Sequence, residues 1–210
     1  MTIEEMHNLF RVLGQQMGLQ KVRAILPESI DEYLNDSIIE ITRSIILGNV
    51  QTVFQDKVTI QNNPIGQLNS IRTLFKQLLV NDINDDYIIT INNEINLMFY
   101  TSIDIIFEDD KVYKARIIET DMVQSVLNDY CNRASKEYPI ATYIGEDKFK
   151  LYTDNNKPVK VVINYIKLPN KVNFTTKTDC DLPEHLHHQV VENAVNKFFQ
   201  SVGSTAHNAN

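Results

Sequence analysis

Apolar residues recur at three- and four-residue spacing near both ends of the chain, and in short β-rich runs between them. Ile3, Met6, Phe10, Leu13 and Met17 mark one face of a first helix, with Gly18 as its stop. Thr2 followed by Glu5 is a capping-box pattern, in which two otherwise unpaired backbone donors are satisfied by the two side chains. A second helix opens at Leu26-Pro27-Glu28-Ser29-Ile30-Asp31, where proline and acids suit a first turn. Ile30, Tyr33, Leu34, Ser37, Ile38, Ile41, Ile45 and Ile46 continue it to Gly48-Asn49. Its apolar surface is broad enough to lie between several helices. Residues 49–66, with Asn62-Asn63-Pro64, read as a loop. Leu68, Ile71, Leu74, Phe75, Leu78 and Leu79 predict a third helix over Gln67–Leu79.

From Tyr87 the period shortens. The pattern predicts strands at Tyr87–Ile91, Met98–Phe107, Lys111–Glu119, Tyr138–Ile144, Lys148–Thr153 and Val159–Leu168. The last three read as a meander of two hairpins, with turns at Gly145-Glu146-Asp147 and Asp154-Asn155-Asn156. A helix at Asp121–Arg133 interrupts the strands. A closing helix starts at Asp181-Leu182-Pro183-Glu184, carries Leu186, Val190, Ala194 and Phe198 four apart, and ends at Gly203. The expected fold is α+β. Residues 1–80 and 180–203 form a helical bundle, 81–179 form a mostly antiparallel β-rich insert with one helix, and 204–210 form a flexible tail, all within a single domain.

Composition adds limits. Of 210 residues, 43% are hydrophobic and 22% charged, which suits a packed core. The net charge of −7 disfavours a protein that grips phosphates over its whole surface. The charge is uneven: residues 138–178 carry 7 basic and 3 acidic side chains against an acidic remainder. A basic strand region beside acidic helices suits head-to-tail contact between copies, and equally a solvated basic face. Cys131 and Cys180 have no metal-ligand or redox spacing and read as free thiols. The start of the chain, with Glu4 and Glu5 before a short amphipathic segment, is unlike a secretion signal. No apolar run is long enough to span a membrane. The expectation is a chain made in the cytoplasm.

Candidate chemistry is sparse. His185-Leu186-His187-His188 is the most enzyme-like feature, since His185, His188 and Glu192 could share a metal ion on one helix face. The alternative is a polar helix start, and it carries more weight because the HExxH arrangement is absent. Asp85-Asp86 and Glu108-Asp109-Asp110 lie in turns without calcium-loop spacing. There is no phosphate-binding glycine loop, no GxGxxG and no GxSxG. Nothing here calls for a cofactor or a catalytic residue.

Three segments resemble a known group. Leu26-Pro27-Glu28-Ser29-Ile30-Asp31-Glu32-Tyr33-Leu34-Asn35 resembles the opening helix motif of neck ring proteins of crAss-like short-tailed bacteriophages. Ile163-Asn164-Tyr165-Ile166-Lys167-Leu168-Pro169-Asn170-Lys171-Val172 and Asp179-Cys180-Asp181-Leu182-Pro183-Glu184-His185-Leu186-His187 resemble the closing strand and helix of that group. The Asp181–His185 helix start is also similar to that of tail-tubular adaptor proteins. Residues 50–137 carry none of the resemblance.

The resemblance implies a structural, non-enzymatic virion protein. Its copies would form a ring, commonly of about twelve, that connects the portal to the tail and lets DNA pass without specific binding. The implied partners are the chain itself, the portal and adjacent neck or tail rings, with no membrane and no cofactor. The expected packing and assembly residues are Leu26, Pro27, Glu28, Ile30, Asp31, Leu34 and Asn35 on the second helix. On the closing helix they are Leu182, Pro183, Glu184, His185, Leu186, His187, His188, Val190 and Ala194. His185, His187 and His188 are candidates for polar contacts between copies. Competing readings are a more distal tail ring or stopper, a DNA-packaging factor and a metal-dependent hydrolase.

Overall fold

The computed structural model describes residues 1–18, 25–47, 69–84, 86–91, 96–145 and 148–207. It is α+β, with helices towards both ends of the chain and strands between. Two compact units result, one of Met1–Leu74 with Pro169–Asn210 and one of Phe75–Leu168. The expected loop at 49–66 and the helix stop at Gly48-Asn49 lie outside the described residues.

Among the described residues the first unit packs α1 (Ile3–Gln16), α2 (Pro27–Leu47) and a long C-terminal helix, Glu184–His207. α1 begins with the expected capping box. Thr2 Oγ1 accepts from Glu5 N–H, and Glu5 Oε2 accepts from Thr2 N–H at 2.9 Å. It ends at Gln16, and Gly18 takes φ +80°, the left-handed turn that glycine makes without a Cβ clash. The apolar stripes meet in one core. Ile3, Met6 and Phe10 are buried with Ile30, Leu34, Ile38 and Ile41, and with Leu186, Val190, Val191, Ala194 and Val195. Phe10 and Tyr33 both set their rings against Phe198, at 6.0 and 5.6 Å between centroids. The C-terminal helix runs through Gly203 to His207, beyond its expected stop and into the expected tail. An interior glycine costs a helix only about 1 kcal/mol, too little to terminate one by itself.

Among the described residues the second unit holds two four-stranded sheets. Its elements are β1 (Phe75–Val80), β2 (Ile88–Thr90), β3 (Leu97–Ile106), β4 (Val112–Lys114), β5 (Arg116–Ile117), α3 (Val123–Asn128), β6 (Ile140–Gly145), β7 (Lys148–Tyr152) and β8 (Lys160–Lys167). The C-terminal helix Glu184–His207 is therefore α4. One sheet is ordered β1-β8-β3-β4, the other β2-β7-β6-β5, and every pairing except β5 with β6 is antiparallel. Inward side chains of both sheets share one core: Ile103, Ile105, Val161 and Ile163 from the first, and Ile89, Ala141, Phe149 and Leu151 from the second.

Three expectations are corrected. Of the helix predicted over Gln67–Leu79, Gln67 and Leu68 lie outside the described residues, Asn69 is helical, and the remainder is a 3-10 turn at Arg72–Leu74 followed by β1. Leu74-Phe75 and Leu78-Leu79 fit a helical stripe, but β8 offers a six-residue ladder from Phe75↔Ile166 to Val80↔Val161. In that ladder Leu78 and Val80 turn to the core while Phe75 and Leu79 stay exposed. A short apolar run is ambiguous by period, and the pairing partner decides it. The Asp121–Arg133 helix shrinks to Val123–Asn128, and of its predicted face only Val123 is buried, with Met122 and Tyr130 exposed. The predicted two-hairpin meander is one hairpin, β6–β7; β8 leaves it for the centre of the other sheet. Asp154 and Asn155 make the departure at φ 51° and 63°, a conformation that Asp and Asn tolerate better than most residues.

Candidate functional site

Residues from all three segments that carry the family resemblance meet in the first unit, where a set of polar side chains pins the stretch before α4. Asn35, one turn after Asp31 on α2, acts as a peptide mimic. Its Nδ2 donates to the Val172 carbonyl at 3.1 Å, and its Oδ1 accepts from Val172 N–H at 2.8 Å. Asp31 is buried and serves two elements. Its Oδ2 accepts from Phe174 N–H at 3.0 Å, and its Oδ1 lies 2.8 Å from His7 Nε2 of α1. An ionised carboxylate only accepts, so the Nε2–H donates. The His7 ring stacks on Phe174 with centroids 4.6 Å apart. Asp179 then caps α1, accepting from Ile3 N–H at 2.7 Å.

Apolar positions among the expected packing residues occupy the core. Ile30, Leu34, Leu182, Leu186, Val190 and Ala194 are all buried. Pro27 and Pro183 sit half-buried at the starts of α2 and α4. Leu26 is 66% exposed and lies outside the packing. Glu28 and Glu184 are exposed in first turns, where a negative charge suits the helix dipole. Glu184 also accepts from the Met1 amino group at 3.1 Å, which holds its carboxyl below the usual range.

The histidines divide. His187 is buried and its Nε2 donates to the Leu182 carbonyl at 2.7 Å, closing the turn that precedes α4. It therefore makes its hydrogen bond within the chain, beneath the surface. His185 and His188 are exposed. His188 Nδ1 is 3.3 Å from Glu192 Oε1, one turn along the helix. Among the described residues no three His, Cys, Asp or Glu side chains are grouped to hold a metal ion. Asp109, of the Glu108–Asp110 turn, pairs with Lys136 at 3.0 Å, and that hydrogen bond lowers its carboxyl.

Sequence periodicity missed His7, Asp179 and the role of Asn35 in binding the Val172 backbone. His7 falls one position from Met6 on the apolar face, a signal that a polar residue there needs a buried partner. Asp179 had no local signal, since its partner lies at the other end of the chain. Among the described residues no helix is long and apolar enough to cross a membrane. No protein-family model matches this chain, and no curated protein matches it in sequence.

Proposed function

We propose that this chain is a structural virion protein, not an enzyme, whose copies form a ring in the neck or tail of a short-tailed phage. The ring would connect the portal to the tail and pass DNA through its lumen. One observation carries the reading. The motif at Leu26–Asn35 lies far in sequence from those at Ile163–Val172 and Asp179–His187, yet the three are bonded in series: Asn35 holds both backbone groups of Val172, and Asp181 Oδ2 accepts from Asn170 N–H at 3.1 Å. The three segments that carry the resemblance therefore fold as one set. The net charge of −7 supports a lumen through which a polyanion slides without being gripped. His185 and His188 on α4 and Leu26 at the start of α2 supply exposed positions for contacts with neighbours or the portal.

The test is mass photometry with negative-stain microscopy of the purified chain, alone and with the portal protein of its phage. Closed rings, free or seated on the portal, are expected. A monomer under both conditions refutes the neck position.

A further inference from the structure

The sheet β1-β8-β3-β4 is open at both ends. Among the described residues nothing pairs with the outer edge of β1 or of β4. β1 is a straight six-residue strand without proline, and it leaves Phe75 37% and Leu79 52% exposed. A groove of about 460 Å³ runs beside it, lined by Leu78, Leu79, Val80, Asp82, Ile88 and Thr90. At the other edge Val112 of β4 is 60% exposed. Unpaired edges of this kind recruit another strand.

We infer that β4 of a second copy of this chain occupies the β1 edge, so that the sheet continues head-to-tail from copy to copy. The inference rests on the ring reading and names one contact within it. Strand direction supports it first. All three pairings in the sheet are antiparallel, so β1 and β4 run in opposite directions. Rotation about an axis roughly along the strands preserves the direction of each copy's β1. The neighbour's β4 then meets it antiparallel, and the contact is heterologous and able to close.

Register supports it next. Val80, Val161, Ile105 and Tyr113 lie on one level across the sheet, and Leu79, Val162, Asp104 and Lys114 on the adjacent one. Carrying these levels into the next copy sets Val80 opposite Tyr113, two apolar side chains that both pack towards the core. It sets Leu79 opposite Lys114, whose aliphatic stem can cover it. Two residues beyond that level, just past the end of β1 and just before the start of β4, it sets Asp82 opposite Lys111, an opposite-charge pair. Among the described residues the ion-pair approach of Lys111 is one of 4.0 Å to Asp109, whose shorter partner is Lys136 at 3.0 Å, and the Lys111 side chain is exposed.

The test uses the full chain with Cys131→Ser and Cys180→Ala, assembled into rings. Leu79→Cys/Lys114→Cys and Val80→Cys/Tyr113→Cys are oxidised in parallel, because adjacent antiparallel pairs alternate between hydrogen-bonded and non-hydrogen-bonded geometry. In one chain each pair is three strand spacings apart, roughly 14 Å, beyond the reach of a disulfide. A ladder of covalent multimers on a non-reducing gel is therefore a contact between copies, and at least one pair is expected to give it. Asp82→Lys should weaken assembly about fivefold, and Asp82→Lys/Lys111→Asp should restore it. Rings that form normally, give no ladder from either pair and ignore Asp82→Lys overturn the edge contact and leave the ring reading standing. A wild-type chain that never assembles overturns both.

Discussion

Asn35→Ala tests the clamp that joins the two motif-bearing ends. The substitution removes two side-chain hydrogen bonds, to the N–H and the C=O of Val172. Each bond contributes about 1 kcal/mol net. Val172 is 1% exposed, and both bonds are partly buried, so water replaces them poorly. Leaving the two backbone groups under-satisfied raises the loss to about 2–3 kcal/mol. Asn35→Asp separates the two bonds: a carboxylate still accepts from Val172 N–H but faces the Val172 carbonyl with no donor, so it should lose at least as much as alanine. Two readouts are needed, because two compact units need not unfold together. Urea denaturation gives the free energy, and hydrogen exchange of the Val172 and Phe174 amides localises it. A loss below about 0.5 kcal/mol, the size expected of a surface change that touches nothing, with both amides still protected, would show that the clamp is incidental.

The buried His7–Asp31 pair gives a second expectation: Asp31→Ala should cost about 3 kcal/mol or more, because it strands a buried ring donor and the Phe174 amide together. His7→Phe/Asp31→Leu should recover part of that loss in a denaturation cycle, since it removes both polar partners; additive single losses would sink the idea that they act as a pair. Val190→Asp places a carboxylate at a fully buried position of α4, so purified protein should lose its cooperative transition, and normal unfolding would remove Val190 from the core. Burial, with lesser contributions from Asp181 and Asp179, pushes the Cys180 thiol up to about 11. Because the thiolate is the reactive form, Cys180 should resist a thiol reagent at pH 8 while exposed Cys131 reacts, and labelling of Cys180 should rise as pH approaches 11; equal rates at pH 8 would refute its burial.

The helices at both ends were legible because each carries its own start signal and its own stripe. Thr2 with Glu5, Pro27 with Glu28, and Pro183 with Glu184 are local signals, and the stripes of Ile3, Ile30 and Val190 repeat at the helical period. Local signals need no knowledge of a partner. Gly203 misleads because a stop signal competes with the packing of the whole helix, and a cost of about 1 kcal/mol does not outweigh it.

Tertiary structure alone decided what depended on a distant partner. Phe75–Val80 reads equally well as helix or strand until β8 is placed beside it, and β8 itself looks like the next strand of a meander until the two sheets separate. The clamp is the same kind of case. Nothing near Asn35 in sequence says that its amide will match the backbone of Val172, and nothing near Asp179 says that it caps a helix beginning at Ile3. Hydrophobic period is written along the chain, whereas a hydrogen-bond partner across more than a hundred residues exists only once the core has brought the two together.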